Sequence, residues 1–314
     1  MYGLADFDFA AKWSPYFIVV AMLVTAAYLY LVGPGRERWF PESEPVALRK
    51  KCWFVGGMAA LYAAFGSPID LMGHYMFTFH MISMALGYMI AAPMLLAGVP
   101  DWMLRRLGRI PGSRKLLWLV HPFPAIVMFN LLFSLYHFPA VHDFVMTNYF
   151  VHTVYYIILM ITAWMMWFPV LCPLPELDRL VGLRKLFYMF GNSLMLMPAC
   201  ALIIFANSAM FGTYTDPELW ATAMGFCIPQ GAEFVLQNFT GPNTLQWFDP
   251  LTDQRTGGVT MKMIQEAVYG GVLVYVFLQW YRKENGRSKE QERDPFEPTQ
   301  AYYEMMRSRA EPQN

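Results

Sequence analysis

Seven stretches of this chain reach or approach the roughly 20 apolar residues that carry a helix across a bilayer. No other feature constrains the fold as much. They lie near residues 14 to 32, 50 to 66, 75 to 98, 117 to 137, 149 to 171, 186 to 208 and 260 to 281. Inside a bilayer the backbone has no water to bond with, so apolar segments of this length resolve as helix. The expected fold class is all-α: a polytopic membrane bundle of seven transmembrane helices. A chain that is 56% apolar, 17% aromatic and only 15% charged does not suit a soluble surface. The second stretch is the weakest, being short and carrying Gly56-Gly57, but Arg49-Lys50-Lys51 and Ser67-Pro68 bound it. Residues 219 to 239 are also apolar, yet Pro229, Gln230, Glu233 and Gln237 mark them as interfacial or partly re-entrant. They belong to a connection at about 209–259, long enough to have a structure or function of its own.

Basic residues in short loops collect on the cytoplasmic side of a membrane. Here 20 of the 23 Lys and Arg follow helices one, three, five and seven, and only Lys12, Arg255 and Lys262 fall on the other face. The expected orientation is N-terminus outside and C-terminus inside. Acidic residues stand near the N-terminus where a secretory signal carries basic ones, and no small-residue cleavage site follows, so the first helix is expected to stay. The domain reading is a transmembrane domain over 1–281 and a charged, flexible cytoplasmic tail over 282–314.

With that orientation five of six histidines go outside. His74 and His80 lie at the start of helix three, His137 and His142 at the end of helix four, and His152 at the start of helix five, while His121 sits at the inner end. His80, His137 and His152, on three consecutive helices, are expected to meet at one depth. Met76, His80 and Met84 stand at i, i+4 and i+8, one stripe of a helix, with Met81 adjoining. Thioether sulfur beside imidazole is a soft donor set that favours Cu(I) over magnesium or calcium. Methionine also fills gaps between helices, and 24 copies leave ample scope for that role. Asp70, four residues before His74, has the spacing of a carboxylate that orients an imidazole, or of a polar cap. His142, beyond Pro139, reads as an exposed loop histidine without a ligand role, and His121 as interfacial.

The remaining chemistry is mostly exclusion. Cys52, Cys172, Cys200 and Cys227 stand far apart, without a CxxC or a disulfide framework. There is no Walker loop, GxGxxG, GxSxG or HExxH. Charges cancel overall, so nothing points to nucleic acid. The outer face carries nine acidic residues against three basic ones, a field that attracts cations. Beyond Lys50 and Lys51 at the edge of the second stretch, only Lys262 and Glu266 are charged within the spans, near the outer end of helix seven, which speaks against an ion-coupled transporter.

Three blocks carry a resemblance. Asp70, His74 and Phe79-His80-Met81 lead to Ala92-Pro93-Met94-Leu95-Leu96-Ala97-Gly98-Val99-Pro100. Tyr136-His137-Phe138-Pro139-Ala140 is followed by Val151-His152 and Trp167-Phe168-Pro169-Val170. Asp253-Gln254 precedes Gly257-Gly258. Over residues 50 to 281 the chain resembles the CtaG family, multi-spanning assembly factors for caa3-type cytochrome c oxidase, mainly from Gram-positive bacteria. The resemblance implies a seven-helix protein of the bacterial cytoplasmic membrane. It would mature the oxidase by supplying copper, taken from an extracytoplasmic donor, to its catalytic subunit. Met84 stands where many relatives carry a second histidine after the one matching His80. Tyr156 likewise replaces one after His152, and with Asp70 is read as supporting the ligands.

The leading expectation is a non-enzymatic assembly factor that binds Cu(I) through His74, His80, His137, His152, Met76, Met81 and Met84. A haem-binding or haem-handling protein is the second reading, since histidines on neighbouring helices can ligate iron axially. A metal-free scaffold for subunit insertion is the third. Oligomeric state is open at this point.

Overall fold

The computed structural model describes residues 7–109, 118–180, 182–227 and 245–291, with positions 233, 237, 241, 242 and 307. Residues 110–116 of the inner loop, the expected start of the fourth span at 117, most of 228–239 and most of the tail beyond 291 lie outside the described residues. Among the described residues the structure is helical, without strands. The chain divides into two compact units, Met1–Gly270 and Gly271–Asn314.

In the first unit α1 (Phe9–Trp13) and α2 (Pro15–Val32) form the first span, followed by the short α3 (Arg36–Trp39). The second is α4 (Leu48–Phe65) continued by α5 (Pro68–Gly73). The third joins α6 (Phe77–Met84), a π-helical stretch (Ala85–Ala91) and α7 (Ala92–Gly98); α8 (Asp101–Leu107) follows it. Next come α9 (Pro122–Tyr136) and α10 (Pro139–Met146), then α11 (Tyr149–Leu171), α12 (Arg184–Ile204), α13 (Pro217–Met224) and α14 (Pro250–Gln291). Among the described residues six helices are long and apolar enough to cross a membrane, and α9 with α10, bent by 80°, makes a seventh if the pair counts as one span. Large apolar side chains such as Leu23 on α2 and Phe187, Phe190 and Met197 on α12 stay exposed, as lipid-facing side chains do.

Local chemistry explains the breaks. Pro139 cannot continue a helix and holds Phe138 extended, so α9 stops and α10 leaves at the sharp angle. Pro93 cannot donate to the Met89 carbonyl, and the turn before it widens into the π segment. That widening leaves the Tyr88 carbonyl accepting the Trp167 indole N–H at 3.0 Å.

Gly56-Gly57, which weakened the second span in sequence, has a packing role. A Cβ on Gly57 would stand 2.8 Å from the Leu95 backbone nitrogen, and one on Gly98 would stand 2.6 Å from that of Phe54. Helices α4 and α7 therefore approach backbone to backbone, as small residues permit within a membrane.

The last helix begins at Pro250, ten residues before the expected 260. Asp249 caps it through Thr252 N–H at 3.0 Å, and Pro250 takes a position where a missing N–H costs nothing. The final decade of the expected 209–259 connection is thus helical. Lys262 and Glu266, paired at 2.6 Å, consequently lie well inside the span and not near its outer end; both bond to Ser193, midway along α12.

The basic loops meet at one end of the bundle. Arg105 bonds Glu176 at 3.1 Å across the segments that follow the third and fifth spans, and Lys50 stands 3.9 Å from Asp101. At the opposite end, the start of α6, helix α10, the chain after α12 and the start of α14 converge on the histidines.

Candidate functional site

Asp253 organises the helix that carries His80. Its buried carboxylate accepts from the N–H groups of Phe77 at 2.5 Å and Thr78 at 3.2 Å, and from the Thr78 hydroxyl at 2.6 Å. An α-helix starts with unpaired N–H groups, so a carboxylate from α14 caps α6 in trans. Gly257, one turn on, lies against that same helix start, where a Cβ would stand 2.8 Å from the Phe77 ring. Gln254 accepts from Met210 N–H and donates to the Ile203 carbonyl, which fixes the end of α12. The Asp253-Gln254 and Gly257-Gly258 block is therefore a clamp on neighbouring helices, a role its sequence did not disclose.

Around α6 four imidazoles present nitrogens with no hydrogen-bond partner: Nε2 of His80, His137, His142 and His152. His137 and His142 are fully buried, and His80 is 3% exposed. The ring of His80 lies 5.3 Å from His142 and 6.1 Å from His137, centroid to centroid. Imidazoles sharing one ion through bonds of about 2 Å have centroids roughly 5 to 6.5 Å apart. His137 ends α9, and its Nδ1–H donates to the Phe133 carbonyl at 2.7 Å, a group the helix end leaves free. A carbonyl can only accept, so the Nε2 lone pair is the one offered, an arrangement common in metal-ligating histidines. Tyr136 stacks on His80 at 5.6 Å, and Phe211 packs 4.7 Å from His142. Among the described residues no three His, Cys, Asp or Glu side chains stand in a geometry that would hold an ion as they are. Shared ligation therefore requires rings to rotate or fewer of them to bind.

The sequence reading holds unevenly here. It expected His142 to be an exposed loop residue, whereas it lies buried on α10 beside His80. Pro139 was the overlooked signal, because proline favours the first position of a new helix. Neighbouring Asp143 also went unread. Its carboxylate accepts from Gly212 N–H at 2.8 Å and Thr213 N–H at 3.0 Å, and stands 3.5 Å from His142 Nδ1.

Met76 is not on the helical stripe, since its backbone is extended ahead of α6. It packs with Leu71, Met72, Trp220 and Met224 in an apolar cluster. Met81 and Met84 are buried on α6 with His80. Tyr156 hydrogen-bonds Tyr136 at 3.2 Å and its ring lies 4.1 Å from His152.

His74, in the turn between the second and third spans, donates Nδ1–H to the Asp70 backbone carbonyl at 3.0 Å, not to the carboxylate that the spacing had pointed to. Its Nε2 faces Cys227 Sγ at 3.4 Å, and its ring lies 6.3 Å from His152. Burial opposes charge on His74, but Cys227 and Asp70 outweigh it and push its pKa up to about 10. A cavity of about 550 Å³ opens there, lined by Asp70, His74, Met146, His152, Tyr156 and Cys227 among apolar residues. His121 lies apart, on a hollow with Trp118 and Phe123.

A model of the cytochrome c oxidase caa3 assembly factor family (Caa3_CtaG) matches residues 26–283. The chain belongs to this family. No curated protein and no solved structure matches it. In this Caa3_CtaG protein the first two resemblance blocks supply His80, His137 and His152, His142 lies just beyond the run that ends at Ala140, and the third block clamps the helix that carries His80.

Proposed function

We propose that this Caa3_CtaG protein is a non-enzymatic metallochaperone that binds Cu(I) among its buried histidines and delivers it to the oxidase catalytic subunit. One observation carries the reading: among the described residues His80 and its ring neighbours His137 and His142 each keep a buried Nε2 without a hydrogen-bond partner, and His152, beyond Tyr136 and Tyr156, keeps a fourth. A buried acceptor left unpaired costs about 1–3 kcal/mol, and a bound cation would relieve several such costs together. Aromatic and methionine surroundings favour a soft, singly charged ion over a hard divalent one. Cu(I) is cargo in this scheme. Neutral imidazoles bind it without first losing a proton, and the protein needs only to hold and release it. The count of basic residues supports an orientation with the histidines on the outer face of the bacterial cytoplasmic membrane, where a copper donor and the oxidase subunit would both have access.

Cu(I) competition titrations on detergent-solubilised protein test this, with oxidase copper content as the cellular counterpart. His80→Ala, His142→Ala and His152→Ala are expected to weaken Cu(I) binding and oxidase maturation at unchanged protein level, while His121→Ala leaves both intact. Folded parent protein that takes up no Cu(I) would return the family role to a metal-free scaffold.

A further inference from the structure

The His74 and Cys227 pair is separate from the cluster around His80. Between them stand Tyr136, whose ring lies 5.6 Å from His80, and Tyr156, whose ring lies 4.1 Å from His152. The two tyrosine hydroxyls meet at 3.2 Å. On the His80 side of that pair are His137 and His142; on the other side are His74, His152, Cys227 and the cavity. We propose that His74 and Cys227 form a second, cavity-facing Cu(I) site, with the orphaned nitrogen of His152 as its third ligand, through which the ion passes to or from the buried histidines. This rests on the Cu(I) reading above.

Three observations carry it. First, the donor atoms are aimed. The Asp70 carbonyl holds His74 in the tautomer that offers Nε2, and that atom faces Cys227 Sγ at 3.4 Å. Bonds of about 2.0 Å to nitrogen and 2.3 Å to sulfur would set the two atoms roughly 3.6 Å apart at a tetrahedral angle. Only a few tenths of an ångström separate the present pair from a chelating one. Second, among the described residues the buried Nε2 of His152 has no partner, and its ring lies 6.3 Å from that of His74 on the same cavity; the three donors do not enclose an ion as they stand, so His152 joins by rotating its ring. Third, the cavity of about 550 Å³ gives these atoms the access that the fully buried His137 and His142 lack. Thiolate with imidazole is the softest donor pair among the described residues and suits Cu(I) better than zinc, which would require four filled positions.

The step is ligand exchange without redox change. One proton is held between Cys227 Sγ and His74 Nε2; it leaves to solvent, and a Cu–S and a Cu–N bond form while copper stays Cu(I). Onward transfer replaces thiolate by imidazole, and the sulfur takes a proton back.

Full-length protein in detergent, titrated with Cu(I) against a competing chelator and probed by X-ray absorption at the copper edge, tests the assignment. Cys227→Ser keeps the shape and removes the soft atom. It should lose the short copper–sulfur scattering and bind Cu(I) at least tenfold more weakly at one of two sites, while Cys200→Ser retains that scattering. Saturating Cu(I) should also slow maleimide labelling of Cys227 at least tenfold relative to the exposed Cys52. If Cys227→Ser matches the parent in affinity and scattering while His142→Ala is impaired, the second site is wrong and the histidine reading survives. If the parent binds no Cu(I), both fall together.

Discussion

The two ends of this bundle are held together by opposite means. At the basic end Arg105 pairs with Glu176 and Asp101, Lys50 with Asp101, and Lys185 with Asp178, through side chains that keep water contact. Exposed pairs of this kind contribute about 0–1 kcal/mol each and exchange partners easily. At the histidine end two carboxylates do the joining, and both accept main-chain N–H groups from segments distant in sequence. Asp253 binds the start of α6, and Asp143 binds the chain before α13. A buried carboxylate with N–H partners admits few alternatives, because each donor it abandons is left unsatisfied. One end is tolerant and the other is specified, and the specified end carries the unpaired imidazoles.

Asp253→Ala should break that specification most severely. It strands the N–H groups of Phe77 and Thr78, while the Thr78 hydroxyl keeps the backbone carbonyl of residue 253 as acceptor. At about 1–3 kcal/mol for each unsatisfied group, partly recovered by relaxation, a loss of about 4 kcal/mol is expected in detergent unfolding experiments. Asp101→Ala, which removes the partner of Lys50 and Arg105, should cost less than about 1 kcal/mol. Similar losses in the two variants would abolish the distinction between the ends.

The contrast also separates what sequence can reveal from what it cannot. Span positions were legible because bilayer thickness imposes a length on apolar runs, and five of the six expected starts that fall on described residues lie within about two residues of a helix start. The start of the last helix was missed because Thr252, Asp253, Gln254 and Arg255 look like a loop, although Asp249 and Pro250 before them form a capping signal. His80 and His137, expected to meet from depth alone, lie 6.1 Å apart ring to ring, whereas His152 stands beside His74 beyond Tyr136 and Tyr156. His142 required knowledge that the chain turns back by 80° at Pro139, and Cys227 required a contact across 153 positions with His74. Period and length are local properties. A pairing between distant segments leaves no local trace, and both carboxylate clamps are of that kind.

A subtler break is Asp143→Asn. The change is nearly isosteric, but it turns one acceptor facing Gly212 and Thr213 into a donor and removes the charge beside His142. Hydrogen bonds to a charged group are worth about 1.5–3 kcal/mol, so a destabilisation of about 2 kcal/mol is expected. Under the Cu(I) reading the supporting role adds a 10–100-fold weaker affinity, roughly what removing a partner behind a ligand costs elsewhere. Stability and affinity are measured on the same sample. A drop in stability with unchanged Cu(I) affinity would make Asp143 a structural clamp only, and His142 a bystander.

The smallest effect is expected from Arg105→Ala, although Arg105 makes two ion pairs where Asp143 has a single histidine neighbour. Arg105, Asp101 and Glu176 are each about half exposed, so their attraction is screened by water and salt, and ordering three long side chains opposes it further. A loss below about 1 kcal/mol is expected, vanishing at high salt. Unfolding of parent and variant at low and high ionic strength measures it. A salt-insensitive loss comparable to that of Asp143→Asn would mean that the basic end is also specified, and that the tolerance inferred from exposure is mistaken.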